Sequence, residues 1–217
     1  MVNKHARVLI IYNFTKHLIK LTKLIEASLD KPKIEVVRRT HVAEIDDSKF
    51  DLIIITGGNG RKLLFDEQKL RAQRSIIKNS KTPIIGICFG AEIIALTYGG
   101  ELAEMEKVRR YYVPITFTRE SLLAPEDKHI KVYEGHKIKI NQLPSSMEVL
   151  ATSKDGIEVF KHRSKKIYGL QFHPEVTGRY DHGAIIFERV IKSLTKTSVK
   201  PKKQFLSKKA QLSLGSS

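Results

Sequence analysis

Residues 83–100 read PIIGICFGAEIIALTYGG and contain the clearest fold signal in the chain. An apolar run of strand length leads through Cys88 into a helical pattern that extends from Phe89 to about Tyr98 and ends at two glycines. A cysteine with glycine two residues away on each side, placed between a strand and a helix, has the pattern of a nucleophile elbow. The stretch therefore predicts a buried strand, a sharp turn at Cys88 and a helix behind it.

The same alternation of strand and helix runs through the whole first half of the chain. Apolar or helical patterns predict strands and helices, in chain order, at Ala6–Tyr12, Phe14–Leu29, Ile34–Val37, Phe50–Thr56 and Asp66–Asn79. Buried strands joined by helices are typical of a parallel, doubly wound sheet, in which ligands bind beyond the carboxyl ends of the strands. Both Cys88 and the glycine-rich run from Gly57 to Gly60 are predicted to lie at such ends.

The second half of the chain has a different pattern, with short strands separated by turns and a final helix. The predicted elements are Tyr112–Phe117, His129–Tyr133, His136–Ile140, Glu148–Thr152, Ile157–His162, Lys166–Phe172 and the helix Asp181–Leu194. We therefore expect an α/β fold with a doubly wound, mostly parallel sheet and an antiparallel β extension. One domain over 1–194 would be followed by a basic, disordered tail over 195–217.

Composition narrows the class of protein. The chain has 217 residues and a single cysteine, so an intrachain disulfide and a cysteine-based zinc cluster are excluded. Its formal net charge of +16 suits a polyanion, an acidic protein partner or a solvated lysine surface. Because the charge is not gathered on one helix among aromatic residues, we do not expect direct binding of nucleic acid. The sequence has no membrane-length apolar run and no signal-peptide pattern, which predicts a cytoplasmic protein without a membrane partner.

A lone cysteine is usually a small buried hydrophobe, and a second motif is needed to give Cys88 a chemical role. Gln171-Phe172-His173-Pro174-Glu175 follows the last predicted strand. His173 can accept the thiol proton and later return it to a leaving amine, and Glu175 can hold the imidazole in the required tautomer. The helix that begins after Cys88 is expected to lower the pKa of the thiol, and the N–H of Phe89 can point at an oxyanion.

These motifs resemble those of a known enzyme family. Gly86-Ile87-Cys88-Phe89-Gly90, the histidine motif and Thr56-Gly57-Gly58-Asn59-Gly60 are similar, in order and separation, to the signature motifs of the class I glutamine amidotransferases. The resemblance covers residues 6–194. It implies a catalytic triad of Cys88, His173 and Glu175 and an oxyanion hole formed by the Gly58 and Phe89 amides. It also places Gly57 and Glu92 among the residues that bind substrate.

Within that family, several stretches are most similar to the glutaminase subunits of archaeal GMP synthases. They are Val8–Leu24, Glu134-Gly135-His136, Leu143–Ala151 and Ile167–Thr177. The resemblance implies hydrolysis of L-glutamine without a metal or organic cofactor. It further implies that the partner is an ATP-dependent synthetase, which would hold ATP and magnesium and use the ammonia to convert XMP to GMP.

Two positions depart from the family pattern. Glu92 stands where the family usually has a glutamine that helps to hold the substrate, and Asn59 stands where proline is common. A carboxylate at position 92 would repel the α-carboxylate of glutamine. Three alternatives therefore stay open: the glutaminase of another amidotransferase, a γ-glutamyl hydrolase, and a non-catalytic regulatory or binding protein on the same fold.

Overall fold

The computed structural model of the chain describes residues 5–58, 66–118, 121–127 and 129–195. Over these residues the chain forms one ten-stranded mixed sheet, with helices against it, and a separate two-stranded sheet. The described residues contain no helix that is both long and apolar enough to span a membrane. The predicted disordered tail lies outside the described residues except for Thr195.

Four parallel strands form the first half of the large sheet, as the apolar runs predict. The strands are β1 (Arg7–Asn13), β2 (Lys33–Arg38), β3 (Leu52–Gly58) and β4 (Ile84–Ile87), in the order β2-β1-β3-β4. The helices between them are α1 (Leu18–Ser28) and α2 (Glu67–Asn79), and α3 (Phe89–Thr97) follows β4. Two short 3-10 helices, Arg39–Glu44 and Asp47–Lys49, precede β3.

The remaining strands extend the sheet from β4. In chain order the elements are β5 (Glu101–Glu104), β6 (Tyr112–Pro114), β7 (Thr116–Phe117), β8 (Lys131–Tyr133), β9 (Ile138–Gln142), β10 (Met147–Thr152), β11 (Ile157–His162), β12 (Ile167–Leu170) and α4 (His182–Leu194). The sheet continues as β4-β12-β11-β10-β7, while β9 pairs with β11 and β5, and β6 pairs with β8. The pairs among the strands beyond β12 are antiparallel, which confirms the predicted extension.

Alternation of side chains along the parallel strands explains why helices cover both faces. Val8 and Ile10 of β1 pack in one apolar cluster with α1 and α4, whereas Leu9 and Ile11 pack in a second with α2 and α3. Strands β1, β3 and β4 are buried on both sides and therefore need apolar residues at almost every position, which is the continuous pattern in the sequence, whereas the edge strand β2 is mostly exposed. The predicted doubly wound architecture is therefore confirmed.

The structure also departs from the predicted elements in ways that shape the site. Strand β12 runs parallel to β4, with Gly169 beside Gly86, so it joins the two halves of the chain rather than belonging to the antiparallel extension. As a result, Cys88 and Gln171 leave neighbouring strands at the same edge of the sheet, and the Cys88 N–H donates to the Leu170 carbonyl at 2.7 Å. Strand β5 was not predicted, and the predicted strand Tyr112–Phe117 divides into β6 and β7, which belong to different sheets.

Helix α1 begins four residues later than the pattern predicts. Phe14 has a positive φ of 64°, and the Thr15 hydroxyl accepts the His17 N–H at 3.1 Å. These features turn the chain between β1 and α1 before the helix can start. The turn places His17 at the N-cap of α1, on the same side of the sheet as the carboxyl ends of the parallel strands.

Candidate active site

The predicted sharp turn is present at Cys88. The residue caps α3 with φ 50° and ψ −108°, a backbone conformation that L-residues rarely adopt. The flanking glycines are required sterically. A Cβ on Gly90 would lie 2.1 Å from the Ile55 carbonyl oxygen, and one on Gly86 would lie 2.7 Å from the Gly90 carbonyl. The chain can therefore fold closely behind the cysteine only because these positions have no side chain.

Cys88 and His173 approach each other over a third glycine. A Cβ on Gly57 would lie 2.8 Å from Cε1 of His173 and 3.4 Å from Cβ of Cys88. Cys88 and His173 are almost completely buried, with 4% and 6% of their surfaces exposed. Gly57, near the end of β3, therefore lies beside both Cys88 and His173, and the absence of a side chain at this position lets the two come close to each other.

Glu175 contacts the imidazole from the other side. Its Oε1 lies 2.8 Å from Nδ1 of His173, and its side chain is buried. A carboxylate at Nδ1 places the ring proton on that nitrogen and leaves Nε2 as the basic atom. The His173 N–H donates to the Tyr133 carbonyl at 2.8 Å, which fixes the backbone at the start of the turn. This is the geometry of a base held by an orienting acid.

The expectation that the following helix lowers the pKa of Cys88 is wrong. Burial raises the pKa of the thiol well above its usual range, and the charges of Glu92, Glu175 and Glu134 add to the rise. The Phe89 amide hydrogen-bonds to the sulfur and opposes the rise without reversing it. Desolvation of a fully enclosed sulfur outweighs the partial charge at the end of a nine-residue helix, so the resting sulfur is a neutral thiol.

Glu92 is buried inside the protein one turn into α3. Only 3% of its surface is exposed, and its Oε1 accepts a hydrogen bond from Nε2 of Gln171 at 3.0 Å. Burial raises the pKa of Glu92 to about 7, although Gln171 and the nearby His136 and His173 oppose the rise. The carboxyl therefore changes charge in the neutral pH range, a property that the sequence pattern alone did not indicate.

Gly57, Gly58 and Phe89, which the resemblance assigns to substrate binding and the oxyanion hole, lie at the end of β3 and the start of α3. Gly57 and Gly58 end β3, and a Cβ on Gly58 would lie 1.9 Å from the Asn13 carbonyl oxygen, so the position accepts only glycine. Phe89 is the first residue of α3. Phe89 directly follows Cys88 in the chain, whereas Gly58 packs against the backbone of Asn13, so the role of the Gly58 amide stays a prediction. Asn59, the departure from the usual proline, lies outside the described residues.

Two neighbours of His173 were missed by the sequence reasoning. The His17 ring meets the His173 ring edge to face, with centroids 5.4 Å apart, and a Cβ on Gly135 would lie 3.1 Å from Cδ2 of His173. Burial lowers the pKa of His17, and the neighbouring His173 lowers it further. Both residues are distant from His173 in the sequence, so no local pattern could have indicated these contacts. Among the described residues, no group of three or more His, Cys, Asp or Glu side chains could hold a metal ion.

Comparisons with known proteins agree with the geometry. Residues 13–193 match the family described as Glutamine amidotransferase class-I. The chain is 32% identical over 161 residues to a protein from Methanococcus vannielii that is named as one subunit of a glutamine-hydrolyzing GMP synthase, covering 72% of this chain and 81% of that protein. A protein of the same name from Methanococcus aeolicus is 35% identical over 164 residues, which cover 74% and 84% of the two chains.

Solved structures share the fold. A crystal structure from Thermoplasma acidophilum superposes with a TM-score of 0.75 at 23% identity, covering 87% of this chain and 94% of that one. A glutamine amidotransferase from Thermotoga maritima superposes with a TM-score of 0.67 at 19% identity, covering 88% and 82%. The family match extends over most of the chain and includes the turn at Cys88 and the motif around His173. The chain belongs to the class I glutamine amidotransferases.

Proposed function

We propose that this enzyme hydrolyses the side-chain amide of L-glutamine, with Cys88 as nucleophile, His173 as base and Glu175 as the acid that orients His173. The observation that carries the proposal is the meeting of Cys88 and His173 over Gly57, with Glu175 at Nδ1 of the imidazole. A nucleophile, a base and an orienting acid in this order are the groups that catalytic triads use for acyl transfer.

The proton moves together with the attack. Because the resting sulfur is a thiol, His173 takes its proton as the sulfur adds to the amide carbonyl. The amides of Phe89 and Gly58 donate to the oxyanion. His173 then gives the proton to the leaving nitrogen, ammonia departs, and a γ-glutamyl thioester remains on Cys88. Water, deprotonated by His173, cleaves the thioester and restores the thiol with release of glutamate.

Substrate recognition would involve Gly57 and Glu92. Because Gly57 has no side chain, the side-chain amide of glutamine can approach both Cys88 and His173. Glu92 in its protonated form resembles the neutral amide that the family usually has at this position, because burial raises its pKa to about 7. In its ionised form it repels the α-carboxylate of glutamine. Substrate binding should accordingly weaken as the pH rises through neutrality.

The ammonia is passed to an ATP-dependent synthetase that converts XMP to GMP. This part of the proposal is supported by the relatives named as one subunit of a glutamine-hydrolyzing GMP synthase, since such a name implies at least one other chain in the enzyme. No metal or organic cofactor takes part in the glutaminase reaction. ATP and magnesium would be bound by the synthetase.

The test is release of glutamate and ammonia from glutamine by the chain alone and with the ATP-dependent synthetase of an archaeal GMP synthase, XMP and Mg-ATP. We expect slow hydrolysis alone, stimulation by the complete mixture and formation of GMP, all absent in Cys88→Ala. Faster cleavage of γ-glutamyl peptides than of glutamine would instead identify a γ-glutamyl hydrolase. Stimulation only by a different synthase would identify the glutaminase of another amidotransferase, and absence of any turnover would favour a regulatory protein.

A further inference from the structure

The pairing of β1 with β3 is irregular directly beside the candidate site. Over residues 11–13 of β1 the chain advances by two positions, whereas over the paired residues 55–58 of β3 it advances by three. Strand β3 therefore contains a β-bulge, an extra residue that interrupts the ladder of backbone hydrogen bonds and bends the strand. The bulge includes Gly57, the residue that lies beside both Cys88 and His173.

Three fully buried polar side chains hold the bulge, and we call Asn13, Thr56 and Gln73 the bulge network. The Asn13 N–H donates to Oγ1 of Thr56 at 2.9 Å, and Nδ2 of Asn13 donates to the Thr56 carbonyl at 3.3 Å. The amides of Asn13 and Gln73 form a reciprocal pair, with N–O distances of 3.1 and 3.0 Å. Because an unpaired buried amide is strongly unfavourable, these contacts favour one conformation of the bulge.

The direction of the Thr56 hydroxyl is fixed by two backbone groups. The Asn13 N–H can only donate, so the Thr56 oxygen accepts there, and the Gly57 carbonyl can only accept, so the hydroxyl donates to it at 2.8 Å. The peptide that joins Gly57 to Gly58 is planar, and holding its carbonyl therefore also fixes the direction of the Gly58 N–H. That N–H is one of the two donors proposed for the oxyanion.

A peptide between two glycines needs such a restraint. Glycine adopts many backbone conformations, so the plane between Gly57 and Gly58 would rotate easily if nothing held it. A half-turn would exchange the positions of the N–H and the carbonyl oxygen, and an acceptor would then face the oxyanion in place of a donor. Since the oxyanion exists only after the sulfur has attacked, the wrong orientation would slow the reaction without preventing substrate from binding.

We propose that Thr56, Asn13 and Gln73 are positioning residues for the oxyanion hole, because they hold the peptide between Gly57 and Gly58 in one orientation. The Thr56 hydroxyl holds the Gly57 carbonyl, Asn13 holds Thr56, and Gln73 of α2 holds Asn13. The network orients this peptide in the free protein, before any substrate binds. The inference deepens the proposed function and rests on it.

Two variants at one position separate the hydroxyl from the rest of the side chain. Thr56→Val keeps the shape and removes the hydroxyl, whereas Thr56→Ser keeps the hydroxyl and removes the methyl group. Steady-state kinetics with glutamine are measured in the presence of the synthetase, XMP and Mg-ATP. We expect kcat to fall by about tenfold to a hundredfold in Thr56→Val with little change in KM, and Thr56→Ser to keep most of the wild-type kcat.

Thr97→Val is the matched control for loss of a buried hydroxyl. Thr97 ends α3, is buried, and donates its hydroxyl to the Ile93 carbonyl at 2.7 Å. Its replacement by valine removes the same kind of hydrogen bond away from the Cys88 turn, so kcat should stay at the wild-type value. Equal losses of kcat in Thr56→Val and Thr56→Ser, or a wild-type kcat in folded Thr56→Val, would contradict the positioning role.

A measurement without turnover separates this inference from the proposed function. In nuclear magnetic resonance spectra, the signals of the Gly57 carbonyl carbon and the Gly58 amide should shift in Thr56→Val and stay close to their wild-type positions in Thr56→Ser and Thr97→Val. That result supports the positioning role even in a chain that hydrolyses no glutamine. Where Thr56→Val does not fold, Gln73→Met removes the paired amide and should shift the same two signals. Unchanged signals in folded Thr56→Val or, in its place, Gln73→Met would overturn the proposal.

Discussion

The two halves of the candidate site are built by different physical means. The nucleophile half, formed by the end of β3, the Cys88 turn and the start of α3, depends on missing side chains: glycine at 57, 58, 86 and 90 lets backbones approach within contact distance. The base half, formed by residues 133–136 and 171–175, depends on buried polar contacts. One half is held by sterics, which do not change with pH, and the other by hydrogen bonds that include ionisable side chains, whose charge depends on pH.

This difference predicts how each half fails. Substitution of a glycine in the nucleophile half should act at every pH, because overlap of atoms is independent of charge. A substitution in the base half should change the pH dependence of activity or stability, because it alters which groups hold protons. The following experiments test that contrast.

The largest effect is expected when the reacting groups themselves are removed. Cys88→Ala should lower glutaminase activity by on the order of 10⁴-fold or more, and Cys88→Ala with His173→Ala should lose little more, because the two act as one unit. Ammonia release and labelling of Cys88 by a glutamine-analogue electrophile measure both effects. Multiplicative losses in the double variant would show that His173 does not serve the thiol.

Glu175→Gln tests the orienting contact in the base half. The amide keeps the shape but removes the charge at Nδ1 of His173, so the loss should be roughly a hundredfold smaller than for His173→Ala. Steady-state kinetics over pH 6–9 measure the ratio of the two losses. Equal losses in the two variants would indicate that Glu175 does more than orient the ring.

Gly57→Ala tests the boundary between the halves. The added methyl group would overlap Cε1 of His173 while only touching Cβ of Cys88, so kcat should fall about a hundredfold at every pH because the imidazole is misplaced. Gly99→Ala is the control: its φ of 89° is strained for alanine, but no atom lies within 4 Å of the new methyl group. Gly99→Ala should therefore lower the stability by about 1 kcal/mol and leave kcat unchanged.

Glu92→Gln gives the smallest expected effect and separates charge from shape. The folded-state pKa of Glu92 is raised to about 7 from an ordinary value of 4.5, so the wild type loses stability as the pH rises between these values. The variant lacks this loss and should be more stable by at most about 3 kcal/mol above pH 7, with no gain below pH 4.5. Thermal unfolding across pH 4–8.5 measures the difference.

Glu92→Gln also sharpens the proposal about substrate binding. The KM for glutamine should fall above pH 7, where the wild-type carboxylate repels the substrate, with little change in kcat. At pH 6 the two proteins should have similar KM values, since Glu92 is then mostly protonated. A KM that is unchanged or raised at pH 8 would mean that Glu92 does not oppose glutamine binding.

Local patterns in the sequence were sufficient for the framework and for the nucleophile half. Continuous apolar runs specify strands buried on both faces, and the glycines around Cys88 specify a turn that only glycine allows. The cysteine motif and the motif from Gln171 to Glu175 are each contained in five consecutive residues. The spacing of residues within each motif follows from the backbone geometry of a strand that ends in a turn, which rules for neighbouring residues describe well.

Only the tertiary structure decided the pairing of β12 with β4 and the polar surroundings of His173. Parallel pairing across more than eighty residues, the contact of His17 with His173, and the hydrogen bond from Gln171 to Glu92 all join segments distant in the chain. The same holds for the thiol: the helix after Cys88 suggested a lowered pKa, but burial raised it. Desolvation depends on what surrounds a group in space, and no local pattern contains that information.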